Sequence, residues 1–148
     1  EMEAYEDEDI NLSKSIISFV QGFLTTHDEV LKAYSIFNTN KVTTLDSQTK
    51  LRIREILIKR TQNENYQDLI KKTSIGFYTG TSQISKKGKY LNKYIVNSFG
   101  FVDLEDKKYT IGITIIEPDL NKNNGYFKYA NYSSSPLFLA IAKKLIEK

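Results

Sequence analysis

Residues 75–116 pass through three strand-like segments joined by short polar links, and this stretch most narrows what the chain can fold into. The first strand is expected over residues 75–83. Ser85-Lys86-Lys87-Gly88-Lys89 follows, a polar, glycine-containing connection of hairpin length. The second strand is expected over residues 94–102, and residues 103–107 turn the chain again. From Tyr109 to Ile116, Tyr109, Ile111, Ile113 and Ile115 alternate with Thr110, Gly112 and Thr114, the period of a half-buried strand. Pro118 stops it. Three consecutive strands on short turns predict an antiparallel meander.

Helical patterns flank this sheet. Residues 11–24 are apolar and β-branched and read as a short helix or an irregular buried segment. Thr25 or Thr26 caps the next helix, because a hydroxyl followed by Asp28 and Glu29 places acids at the positive end of the helix dipole. Val30, Leu31, Tyr34 and Phe37 fall on one face of it. A second helix begins at Asp46 or Ser47 and turns Ile53, Ile56, Leu57 and Arg60 to one side. Residues 62–67 read as a polar loop, and Leu69-Ile70 as a short strand or turn. After an Asn- and Tyr-rich loop over residues 121–134, Ser135 caps a last helix with Pro136 at its first position. Phe138, Ile141, Ala142 and Leu145 form its apolar stripe, which is expected to cross one face of the meander. The reading is an α+β fold: helices, an antiparallel sheet and a covering C-terminal helix.

The chain of 148 residues fits one domain or a large piece of one. Residues 1–10 read as an acidic, disordered lead-in, and residues 11–148 as the folded part. The absence of cysteine excludes a disulfide scaffold, a thiolate metal site and a cysteine nucleophile. Six of the 18 acidic residues lie in the first nine positions, which leaves a basic remainder of net +9. Such a surface favours anionic partners, and equally fits a plain solvated basic face. No apolar run reaches the roughly 18 residues that a membrane span needs.

Few residues carry an obvious chemical signature. His27 is the one histidine and reads as a surface or cap residue, so no metal site and no cofactor is expected. Ser47-Gln48-Thr49-Lys50 matches a Ser-x-x-Lys pattern but opens a polar helix, where a capping serine is the better reading. Asp103, Glu105 and Asp106 read as solvated turn residues, and Glu117-Pro118 as a structural strand end. Nucleic-acid binding by a basic, tyrosine-rich sheet needs aromatics on one exposed face, and Tyr94, Val96, Ser98 and Gly100 do not supply it. One stretch stands out: Gly76-Phe77-Tyr78-Thr79-Gly80-Thr81-Ser82-Gln83 sets a glycine and hydroxyls on a strand. Glycine in a strand marks a bulge or a close approach of ligand to backbone.

Thr79-Gly80-Thr81-Ser82-Gln83 resembles the Lys-Thr-Gly-Thr strand of class B penicillin-binding proteins. Ser18-Phe19-Val20-Gln21-Gly22, then Thr25 or Thr26, then Leu31-Lys32-Ala33-Tyr34-Ser35 is similar to the tract that precedes it in that family. Downstream, residues 88–95 and Ser98-Phe99-Gly100-Phe101 resemble its next strand. Ile116-Glu117-Pro118, Gly125-Tyr126, Ser135-Pro136-Leu137-Phe138 and Ile141-Ala142 resemble its closing segment. The likeness spans about residues 15–148 in order, and the Asn92-Lys93-Tyr94-Ile95 run suggests the septal, cell-division type.

The resemblance implies part of a serine β-lactamase/transpeptidase-like fold and a serine D,D-transpeptidase that cross-links peptidoglycan stem peptides in the periplasm and is acylated by β-lactams. It implies that Thr81 supplies an oxyanion N–H and a substrate-carboxylate contact, and that Thr79 and Gly80 shape the substrate-binding edge. Tyr78 stands where the family has lysine, and a neutral tyrosine cannot supply the same positive field. The nucleophile's Ser-x-x-Lys and the Ser-x-Asn motif belong upstream of residue 15, so the chain is expected to be the C-terminal half of the catalytic domain, soluble by itself and inactive alone. Implied partners are stem peptides, β-lactams and division-complex proteins, with any membrane anchor N-terminal. The alternative is a degenerate, non-catalytic transpeptidase-like module that binds or scaffolds.

Overall fold

The computed structural model describes residues 25–39, 45–62, 73–121 and 123–147. The expected acidic lead-in, the segment 11–24, the loop past Gln62 and the Leu69-Ile70 turn lie outside the described residues. Within them the chain is α+β, in the order α1 (His27–Ser35), α2 (Ser47–Gln62), β1 (Ser74–Lys86), β2 (Lys89–Asp103), β3 (Lys108–Ile116) and α3 (Ser134–Ile146). A 3₁₀ turn, Ile36–Asn38, prolongs α1, and two more, Asn123–Lys128 and Ala130–Tyr132, lead into α3.

The three strands form one antiparallel sheet in sequence order, β1-β2-β3. The first hairpin closes through Lys87 and Gly88, both at positive φ (51° and 74°), the geometry of a two-residue turn matched to strand twist. β1 and β2 run longer than the alternation suggested, because the hairpin pairs Lys86 with Lys89 after a bulge between Gln83 and Ser85.

Strand alternation sorts the sheet into two faces. One carries Ile75 and Phe77, then Val96, Ser98 and Val102, then Tyr109, Ile111 and Ile113. Phe138, Leu139 and Ala142 of α3 pack on it, with Phe77 and Phe138 stacked at a centroid distance of 4.7 Å. Below the α3 N-terminus, the buried hydroxyls of Ser98 and Ser134 lie 2.9 Å apart and satisfy each other. The opposite face carries Gly76, Phe99, Phe101, Thr110, Gly112 and Thr114, and it too is covered. Phe37 and Leu57 pack against Phe101 there. A Cβ at Gly76 would lie 2.6 Å from Phe101 Cζ and 3.0 Å from Leu57 Cβ, so glycine lets α2 sit this close. β3 is therefore half-buried on both sides, where its alternation predicted one wet face.

The helix ends show what their sequences dictate, with two corrections. Thr26 accepts from the Glu29 N–H, and the Glu29 carboxylate accepts from the Thr26 N–H at 2.7 Å, a complete capping box. These bonds, the backbone one foremost, hold the Glu29 carboxyl below its ordinary value of 4.5. Asp46, not Ser47, caps α2: its carboxylate accepts from the Thr49 N–H at 2.9 Å, since a carboxylate beats a hydroxyl at a positive helix end. Ser133 precedes α3, so Pro136 is the third helical residue, a place where its missing N–H is still one no helix bond needs. In α2, Ile56 points to water at 64 % exposure while Leu57 and Thr61 are buried. One residue of helix is a turn of about 100°, which carries Ile56 off the covered face.

Candidate functional site

Among the described residues β1 is an edge strand, and Thr79, Gly80 and Thr81 lie on its free side, in the part that is exposed or half-buried. The Phe77 N–H points away from β2 and donates to Thr61 Oγ1 of α2 at 3.3 Å. In an extended strand, alternate residues aim their N–H and C=O to the same side. Thr79 and Thr81, in register with Ser98 and Val96, thus present their backbone donors on that same free edge.

A pocket of about 210 Å³ opens at this edge. Thr79, Gly80 and Thr81 form one wall, Tyr129, Ala130 and Asn131 the other, and Arg60 of α2 reaches in from the end. The Ala130 N–H donates to Thr81 Oγ1 at 3.4 Å, which ties the loop to the strand. That loop is shaped by Asn124 and Gly125, both at positive φ (51° and 82°). Tyr126, Tyr129 and Tyr132 cluster beside it, roughly half-exposed, with the Lys128 ammonium over the Tyr129 ring at 5.3 Å.

Tyr78 is placed apart from its neighbours. It does not line the pocket; it faces α2, at 55 % exposure, under the Arg60 guanidinium at 4.0 Å. Arg60 also donates to Thr79 Oγ1 at 3.1 Å. Tyr34 of α1 belongs to the same group: burial first, and then the nearby Tyr78, push its hydroxyl above the ordinary 10.0, against the pull of Arg60.

The other candidates do structural work. Ser47 and Lys50 begin α2, and Lys50 Nζ donates to the Thr39 carbonyl, which holds α2 to the end of the first helical segment. His27 Nδ1 lies 2.8 Å from Thr114 Oγ1, which itself donates to Asn97 Oδ1, and the imidazole rests 5.1 Å from the Phe99 ring. Asp103 departs from the solvated reading: it is 16 % exposed and pairs with Arg54, because the strand end faces α2. Glu105 and Asp106 are exposed, and Glu117 forms a surface pair with Lys93 at 2.7 Å. Among the described residues, no three His, Cys, Asp or Glu come together as a metal site would need. None of the described helices is long and apolar enough to cross a membrane.

Sequence reasoning missed the far wall of the pocket. Ala130 and Asn131 carry no motif, and only the density of Asn and Tyr around them marked the loop. Arg60 was assigned to the covered face of its helix, but its reach to Thr79 is a contact across 19 residues that no local pattern announces.

A strand edge with outward N–H groups, hydroxyls and a small pocket can pair with an extended peptide and offer donors to an anion. The chain is similar to a peptidoglycan D,D-transpeptidase. This relative is FtsI of Buchnera aphidicola subsp. Baizongia pistaciae (strain Bp), 34 % identical over 83 residues, a match that covers 55 % of this chain and 14 % of the relative. The aligned part thus spans about one-seventh of the relative's length. No protein-family model matches the chain. The likeness supports a peptidoglycan-transpeptidase-related region.

Proposed function

We propose that this chain is the C-terminal part of a septal-type peptidoglycan D,D-transpeptidase and contributes its substrate-carboxylate and oxyanion edge. The observation that carries this reading is the free edge of β1, where Thr79 and Thr81 turn their N–H groups away from the sheet beside the pocket. Likeness to the transpeptidase FtsI supports it independently. On this reading the Thr81 N–H is one of two donors that stabilise the tetrahedral oxyanion formed when a serine attacks the peptide carbonyl. The Thr79 and Thr81 hydroxyls and Gly80 hold the stem peptide, and β-lactams occupy the same edge. The serine and its base come from the part of the domain N-terminal to the matched region. The whole protein then works on the periplasmic face of the inner membrane, among division-complex proteins.

Acylation by a fluorescent penicillin tests this. The chain alone stays unlabelled, whereas a version extended upstream through a Ser-x-x-Lys helix is labelled. In the extended version Thr81→Pro labels roughly 10²–10³-fold more slowly, the usual cost of one lost oxyanion donor. Proline is tolerable there because the N–H it removes serves no ladder bond. Labelling of the short chain would overturn the division of the site, and an undiminished rate in Thr81→Pro would overturn the donor assignment.

A further inference from the structure

Tyr78 leaves the strand without the cation that an anion at this edge calls for. The fold brings one from α2. Arg60 stacks its guanidinium 4.0 Å over the Tyr78 ring, donates through Nη2 to Thr79 Oγ1 at 3.1 Å, and lines the pocket. Its Nη1 is buried with no hydrogen-bond partner, and Arg60 enters no ion pair among the described residues. The contrast with Arg54, six residues earlier on the same helix, is direct. Arg54 also stacks on a ring, that of Phe101 at 4.1 Å, but its Nη1 donates to the Phe37 carbonyl and its Nη2 pairs with Asp103. Among the described residues, Arg60 has the ring and no acid.

We infer that Arg60 is the specificity-determining cation of the β1 edge, with Tyr78 as its platform, and that together they take the place of a strand lysine in binding a carboxylate. The inference rests on the reading of Thr79–Thr81 as a carboxylate edge and deepens it. A guanidinium is suited to the task. Its planar fork places two N–H groups on a carboxylate, it stacks on an aromatic ring, and it is always charged. The stack fixes the plane of the fork, so little freedom is lost when the ligand arrives. A basic residue in the last turn of α2 also suits the negative end of the helix, which by itself would explain a lysine or arginine here but not its position over Tyr78.

The test is an NMR titration of the 148-residue chain with an acyl-dialanine dipeptide and with its C-terminal amide. The free carboxylate shifts the Thr79, Gly80 and Thr81 amides and the Arg60 Nε–H, and it binds about tenfold or more tightly than the amide, as a charge-assisted pair implies. Arg60→Gln removes that preference. Adding Tyr78→Lys to Arg60→Gln restores it, a rescue that a merely structural role for Arg60 does not produce. If Arg60→Gln still prefers the carboxylate as the parent chain does, or if the Arg60 Nε–H of the parent stays still while the strand amides shift, the inference falls and the edge reading stands. If neither dipeptide disturbs the strand amides of the parent chain, the edge reading falls first and the inference with it.

Discussion

The two faces of the sheet are covered by different chemistry. Under α3 the contact is apolar: Phe77, Val102, Phe138, Leu139 and Ala142 are buried together, and the Ser98–Ser134 pair closes its polar gap internally. Under α1 and α2 the contact is built from rings with cations on them, Arg54 on Phe101 and Arg60 on Tyr78, and from polar bridges such as Asn38 Nδ2 to Thr110 Oγ1 at 2.9 Å. An apolar contact needs only shape and volume, so it is stable but chemically silent. A face of stacked cations and partly satisfied donors gives up some stability and keeps groups that can meet a ligand. Pocket and charge gather at the β1 edge, where the second face meets the tyrosine loop.

The apolar face depends most on Phe138. Phe138→Ala opens a cavity beneath α3 and should cost about 3–5 kcal/mol, read as a lower denaturant midpoint. No second substitution nearby restores it except one that refills the volume. On the other face the largest single loss is expected from Arg54→Met, about 2–3 kcal/mol, because it strands the Asp103 carboxylate, which already has one buried oxygen without a partner. Here a second change does help: Arg54→Met with Asp103→Leu should recover most of that loss, since a removed ion pair of matched volume is nearly neutral. If the pair of changes is as damaging as the first alone, the polar face depends on shape as much as the apolar one does, and the contrast fails.

Much of the apolar face was legible in the chain. Alternation in residues 109–116 marked β3, the Ser85–Lys89 link marked the hairpin, and Phe138 and Ala142 marked the α3 stripe. Thr26 and Glu29 announced the α1 cap because the residues that make it lie within four consecutive positions. The second face was not legible. Alternation says that a strand has two sides, but not that both are covered, and the polar Thr110 and Thr114 looked like solvent residues until α1 lay over them. Ile56 was placed inward from its hydrophobicity, and the helical angle overruled it. At the site, the strand that carries Thr79–Thr81 was visible from its residues, and Tyr78 was visible as a departure. The partner of Tyr78 was not, since stacking of Arg60 is decided by how close α2 comes to the sheet, which depends on the missing side chain of Gly76.

On the polar face the smallest expected effect comes through pH. Tyr34 is half-buried between α1 and the polar face, stacked on Phe99 at 5.9 Å. Burial and the neighbouring Tyr78 raise its folded pKa above 10.0, while in the unfolded chain it ionises at the ordinary value. Protons are therefore held longer in the native state. The stability this group contributes is fully present below pH 10 and is lost as pH climbs through the raised folded value, because the unfolded chain loses its proton first. Tyr34→Phe should flatten that alkaline decline in the denaturant midpoint without altering the neutral-pH plateau by more than a buried hydroxyl accounts for. Arg60→Gln should do the reverse and steepen it, because removing a guanidinium that eases Tyr34 ionisation pushes the folded value higher still. A tyrosinate absorbance titration reads both shifts directly. Identical alkaline curves in the parent chain and Arg60→Gln would mean that the guanidinium does not reach Tyr34, and the cationic character of this face would then be confined to the β1 edge.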